Sequence, residues 1–175
     1  MLQLMTEEQV VGFYSAAYKV FEVAVVLPHS FMLVLFPTLV EEFQSDRSRF
    51  RHSCQKALII YALIGGSIAL VLWGFSNAII NLVYGEKFLP SIPVLDVLSW
   101  AILLFFVNFL LSNILITSGR EMINTWNLIG VTVLNIILNL VWIPRYGAMG
   151  AAWATLFCEV GLIAALSLQV QKSFK

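Results

Sequence analysis

Long apolar runs separated by short polar breaks set the pattern of this chain. Ala57–Gly85 is free of permanent charge over 29 residues, and Val97–Gly119 and Met122–Pro144 each over 23. An apolar helix crosses the hydrocarbon of a bilayer in about 20 residues, so each run has spanning length. Within them the residues are apolar on every side, as in ALIIYALIGGSIALVLWGF. Strands of a membrane barrel would alternate in polarity over segments of roughly 10 residues, and a helix satisfies its own backbone in lipid. The pattern therefore predicts an all-α, polytopic transmembrane helix bundle with about five spanning helices. Their expected positions are 10–40, 56–83, 91–117, 122–142 and 148–169. Pro28 and Pro37 lie inside the first and are expected to bend it. The polar stretch EEFQSDRSRFRHSCQK, residues 41–56, reads as a loop. Two Tyr-Gly pairs, in VYGEKF and RYGAMG, close helices where glycine readily takes positive φ.

Composition agrees with that reading. Of 175 residues, 60% are hydrophobic and 11% charged, with a mean hydropathy of +0.89. Soluble domains are about a quarter charged, which excludes an ordinary water-soluble globule. Net charge is zero, but the cations are unevenly placed. Arg47, Arg49, Arg51, Lys56, Arg120, Lys172 and Lys175 fall at one set of helix ends, and only Lys87 and Arg145 at the other. Cytoplasmic ends collect Lys and Arg. The 41–56 segment, the SGRE turn and the C-terminus are therefore expected in the cytoplasm, with Arg47, Arg49 and Arg51 against membrane lipids. Cys54 and Cys158 sit in unlike surroundings, so no disulfide is expected, and no metal spacing is present. MLQLMTEEQ lacks the basic start of a signal peptide. It reads like the end of an earlier helix, so a longer protein is expected. No nucleotide motif, catalytic triad or nucleic-acid signature is visible, so neither a cofactor nor enzymatic chemistry is expected.

A few polar residues interrupt the apolar runs. Lys19 and Glu22 lie three apart, on one helix face. Counted from Val10 they are about 14–18 Å deep, near the bilayer centre. Intramembrane charges generally face a bundle interior or a wet cavity, so the pair is either a packing lock, an interfacial pair or a cavity-lining site. Tyr18 shares that choice between cavity and interfacial belt, and Tyr14 fits the belt. Asn124, Asn127, Asn135 and Asn139 form a stripe on the fourth helix. They line a cavity or hydrogen-bond between helices, and Asn108 and Asn113 pose the same alternatives. Glu159 stands alone between thirteen uncharged residues before it and twelve after. It is a proton- or cation-coupling candidate or a hydrogen-bonded structural acid.

The order VGFYSAAYKVFEV, LFPTLVEEF, INLVYGEKFLPSIPVLDVLSW and LITSGREMINTWNLIGVTVLNIILNLVWIPRYGAMGAAWATLFCEV resembles the polysaccharide flippases. These belong to the multidrug/oligosaccharidyl-lipid/polysaccharide exporter superfamily, and the likeness runs from about Met1 to Gly161. The resemblance implies two six-helix halves, of which this chain would be most of the second. It implies alternating-access export of an isoprenoid-pyrophosphate-linked oligosaccharide across the inner membrane, through a cavity between the halves. Partners implied are the lipid-linked oligosaccharide, the other half and the polymerase or glycosyltransferase machinery. Substrate-cavity candidates are then Lys19, Glu22, Tyr18, Asn127, Asn135 and Asn139, with Glu159 as the ion-coupling candidate. A multidrug antiporter of the same superfamily and a non-transporting membrane protein are the rival readings.

Overall fold

A computed structural model describes residues 2–173 as helices joined by very short turns; Lys175, one of the cations counted above, lies outside the described residues. A short α1, Leu2–Met5, precedes α2, Glu8–Ser45, and α3, Arg47–Gly74. Then come α4, Ser76–Tyr84, a 3-10 turn at Glu86–Ser91, α5, Ile92–Thr117, and α6, Glu121–Ser173.

The polar stretch 41–56, expected as a loop, is helical apart from Asp46. Asp46 is extended (φ −150°, ψ 100°) and ends α2 while capping α3. Its Oδ1 accepts from the amides of Ser48 at 2.9 Å and Arg49 at 3.1 Å. A single capping carboxylate thus satisfies donors that a helix start leaves orphaned, and no loop is needed. The Arg47 guanidinium lies 3.5 Å from the centroid of the Phe43 ring, and Phe43 meets Phe50 edge-on at 5.0 Å. The corner is therefore packed on both sides of the break.

α2 continues through Pro28 and Pro37. Beside the first proline the Tyr61 hydroxyl donates to the Pro28 carbonyl at 3.0 Å, tying α3 to α2. The expected second helix is divided at Phe75 (φ −113°, ψ 14°) into α3 and α4. Gly85 has φ 82° and Gly147 has φ 56°, so both Tyr-Gly turns use the conformation glycine alone takes cheaply.

Gly147 matters most. With ψ −132° it lies outside helical space and folds α6 back on itself. Residues 121–146 then run antiparallel to 148–173. Trp142 meets Phe157 at 5.4 Å, and the Cys158 thiol approaches the Val131 carbonyl at 3.8 Å. Among the described residues four helices are long and apolar enough to cross a membrane; the doubled-back α6 has the length of two crossings, which makes five.

α5 is the hub, packing against α2, α3 and α6. In its most apolar window 61% of residues are buried, against 22% or less in the other spans. Leu95, Leu98, Ile102, Phe106, Leu110 and Leu115 are fully buried. Outside, Val23, Leu33, Val34 and Leu82 are 74–89% exposed. In water such a surface would drive association, whereas against acyl chains it costs nothing. Cys54 and Cys158 are both free and buried.

Candidate functional site

Depth can be read from contacts. Asn108 is the midpoint of the charge-free run Val97–Gly119, with eleven residues on either side. It donates from Nδ2 to the Glu159 carboxylate at 2.8 Å and to the Glu159 backbone carbonyl at 2.9 Å. Asn108 and Glu159 thus share one level near the centre of the span. On α2, Phe21 and His29 both reach Phe105, at 6.2 and 6.3 Å. Phe105 lies one turn outward of Asn108. It therefore faces α2 midway between Phe21 and His29, near residue 25. At about 1.5 Å per residue, Glu22 lies about 9 Å and Lys19 about 13 Å from the Asn108 level, toward the end of the bundle that carries Tyr84.

Lys19 Nζ donates to Glu22 Oε2 at 2.6 Å. The two side chains are 69% and 46% exposed. They border a groove of about 670 Å³ with Val23, Leu27, Leu72 and Tyr84. The helical repeat brings Tyr18, Glu22 and His29 onto one strip of α2, with Lys19 beside it. Tyr14, Tyr18 and Phe21 stack in succession, each pair 5.5 Å apart. His29 donates from Nδ1 to the Val25 carbonyl at 2.8 Å, and its ring lies 4.2 Å from Phe109. A second groove of about 390 Å³ opens there, lined by His29, Phe36, Phe109 and Asn113. The outward strip of α2 therefore carries a cation, an anion, an imidazole and a phenol at depths where hydrocarbon would offer none of them a partner. Charged groups in such a position are held by water or by another polar surface.

The asparagine stripe is placed differently. Asn127 and Gln169 exchange amide hydrogen bonds across the two arms of α6. Asn135 donates to the Cys158 thiol at 3.6 Å, and Asn139 to the carbonyl and side-chain oxygen of Asn135 at 2.9 and 2.8 Å. The Asn124 side-chain oxygen is buried without a partner. Asn127 and Asn135 thus bond across the arms of the hairpin, and Asn139 braces Asn135 one turn away on the same arm; none of these bonds reaches the α2 strip. Replacing Asn127 by leucine is expected to lower stability by about 1 kcal/mol. Adding Gln169→Leu should cost little more, a near-complete coupling that thermal unfolding of the single and double variants would reveal.

Gln169 itself escaped the sequence reading, because a glutamine four residues from the end of a helix resembles a solvated tail. Arg120 was seen only as a topogenic cation, yet it donates to the Gln169 carbonyl at 3.2 Å. Neither pairing has a local signal, since the partners are 42 and 49 residues apart.

A helix bundle of five apolar crossings with an exposed polar strip along α2 defines a multispanning membrane protein. A family profile described as "Polysaccharide biosynthesis protein" matches residues 3–93, more than half of the chain. The chain belongs to that polysaccharide biosynthesis family. It is also similar to the uncharacterized membrane protein MJ1068 of Methanocaldococcus jannaschii, with 30% identity over 125 residues. The match covers 71% of this chain and 25% of that protein, so it spans a quarter of the relative's length. No solved structure matches.

Proposed function

We propose that this chain is part of an exporter of polysaccharide precursors. It moves an isoprenoid-pyrophosphate-linked oligosaccharide across the inner membrane by alternating access, with the C-terminus in the cytoplasm. The observation carrying this reading is the exposed Lys19–Glu22 pair on the outward strip of α2. An ammonium on a cavity wall attracts a pyrophosphate or an acidic sugar, and the adjacent carboxylate keeps the cation neutralised when the cavity is empty. Tyr18 and His29 on the same strip offer rings and hydrogen bonds to sugar. The facing wall belongs, in this reading, to a further set of helices, and the polyprenyl tail stays in lipid. Membership of a polysaccharide biosynthesis family supports this cargo over cationic drugs.

Cells lacking the gene should accumulate lipid-linked oligosaccharide. Complementation with Lys19→Ala is expected to restore protein abundance but less than a tenth of export. Equal loss of abundance and export would mark the pair as packing. Unchanged glycan together with lost dye export in the deletion strain would replace the cargo itself.

A further inference from the structure

Glu159 has no ion-pair partner among the described residues. Asn108, only 2% exposed, supplies its hydrogen bonds. The same amide carries an unmet need: Asn108 Oδ1 is buried and has no donor. The local arrangement therefore holds an acid short of compensation beside an acceptor short of a donor. One proton on Glu159 answers both, removing a charge that hydrocarbon does not tolerate unpaired and creating the missing O–H.

We infer that Glu159 and Asn108 form a proton-binding site at the centre of the membrane span, with Asn108 Oδ1 as the acceptor of the bound proton. Asn108 stays anchored by Nδ2 to the Glu159 backbone carbonyl while the carboxyl group turns. The contact from Nδ2 to Oε2 is exchanged for one from the carboxyl O–H to Oδ1. The proton comes from water and returns to water; no covalent bond other than O–H is made or broken. Two oxygens from two residues fall far short of the six or more that a hard divalent cation takes, and no group of three His, Cys, Asp or Glu is present among the described residues.

The surroundings allow the occupancy to be felt elsewhere. From α2, Tyr18 lies within electrostatic range of Glu159, and so does Cys158 on its own helix. α5 and the first arm of α6 present no titratable group there among the described residues. Tyr18 borders Lys19 and Glu22, so gain or loss of the proton alters the field along the outward strip. The site goes beyond the export reading and does not depend on which cargo is carried.

Infrared difference spectroscopy on the purified full chain, in sodium-free buffer over a pH titration, tests it. A protonated-carboxyl stretch should be present in the wild type and lost in Glu159→Gln. Identical spectra for the two proteins in that region would overturn the proposal. A band abolished by sodium chloride but not by potassium chloride would overturn it in favour of a metal-cation site. Should Glu159→Gln not fold, dicyclohexylcarbodiimide, which reaches acids through lipid and reacts with their protonated form, can be applied to the wild type. Mass spectrometry should then find an adduct on Glu159 that falls as pH rises; absence of the adduct sinks the idea. None of these readouts involves glycan export, so the two proposals fail separately.

Discussion

Replacement of Gly150 by alanine is expected to cost this protein most of its folded fraction in detergent. A Cβ at that position would lie 2.5 Å from the Trp142 carbonyl oxygen and 2.7 Å from its carbon, with the Ile143 nitrogen at 3.1 Å. All three are backbone atoms of the opposite arm of α6, so no side chain can rotate away. Relief requires the two arms to part, which strains the Gly147 reversal and loosens the Trp142–Phe157 contact. Overpacking in well-filled interiors costs about 1–3 kcal/mol and sometimes more, and the rigidity of the obstacle puts this site at the upper end. The drop in thermal midpoint, followed by fluorescence-detected size exclusion after heating, is the measurement. Wild-type behaviour of Gly150→Ala would mean that the arms do not approach as described.

Gly65→Ala should have the next largest effect, at the contact between α3 and α5. The added carbon would meet Phe106 Cβ at 2.9 Å and Cγ at 3.0 Å, and Leu103 Cα at 3.3 Å. Phe106 is fully buried in the hub helix and touches Tyr61 edge-on at 6.2 Å, so it has no free rotamer to adopt. Small residues let membrane helices approach closely, and without the hydrophobic effect between helices that packing carries much of the association energy. A loss of about 2 kcal/mol is expected. Gly66→Ala is the matched control, because its nearest contact is the Leu103 Cδ1 atom at an ordinary 3.9 Å. A comparable loss in both variants would point to helix propensity or exposure rather than to this contact.

Much of the architecture was legible beforehand for a plain reason. Lipid removes the choice among backbone structures, so charge-free length alone identifies spans. The Tyr-Gly turns were readable too, since positive φ selects glycine. The boundaries were less so. Asp46 looked like one polar residue among many, and only its side chain bonding forward to Ser48 and Arg49 turns a loop of sixteen residues into a one-residue corner. The fourth span, expected to end at residue 142, runs on through Pro144 to Tyr146 and reverses at Gly147.

At the candidate site, the sequence singled out Lys19, Glu22, Tyr18 and Glu159 because ionisable groups in apolar runs are costly and therefore conspicuous. It could not separate them by role. Lys19 and Glu22 bond to each other three residues apart, whereas Glu159 depends on Asn108, 51 residues away. Nothing in either segment announces the other.

By itself, then, the sequence determined the solvent, the helical backbone and the rough number of crossings, because hydrocarbon imposes those on any long uncharged run. The tertiary structure decided which polar groups are satisfied and by what. It turned Asn127 and Asn135 toward the second arm of α6 and set Asn139 against Asn135 on the first. It left Lys19 and Glu22 facing outward, and it set Asn108 against Glu159 with one oxygen unmet. Hydrogen-bond partners are chosen by distance in space, and in a bundle of antiparallel helices that distance is fixed by how α5 packs, not by spacing along the chain.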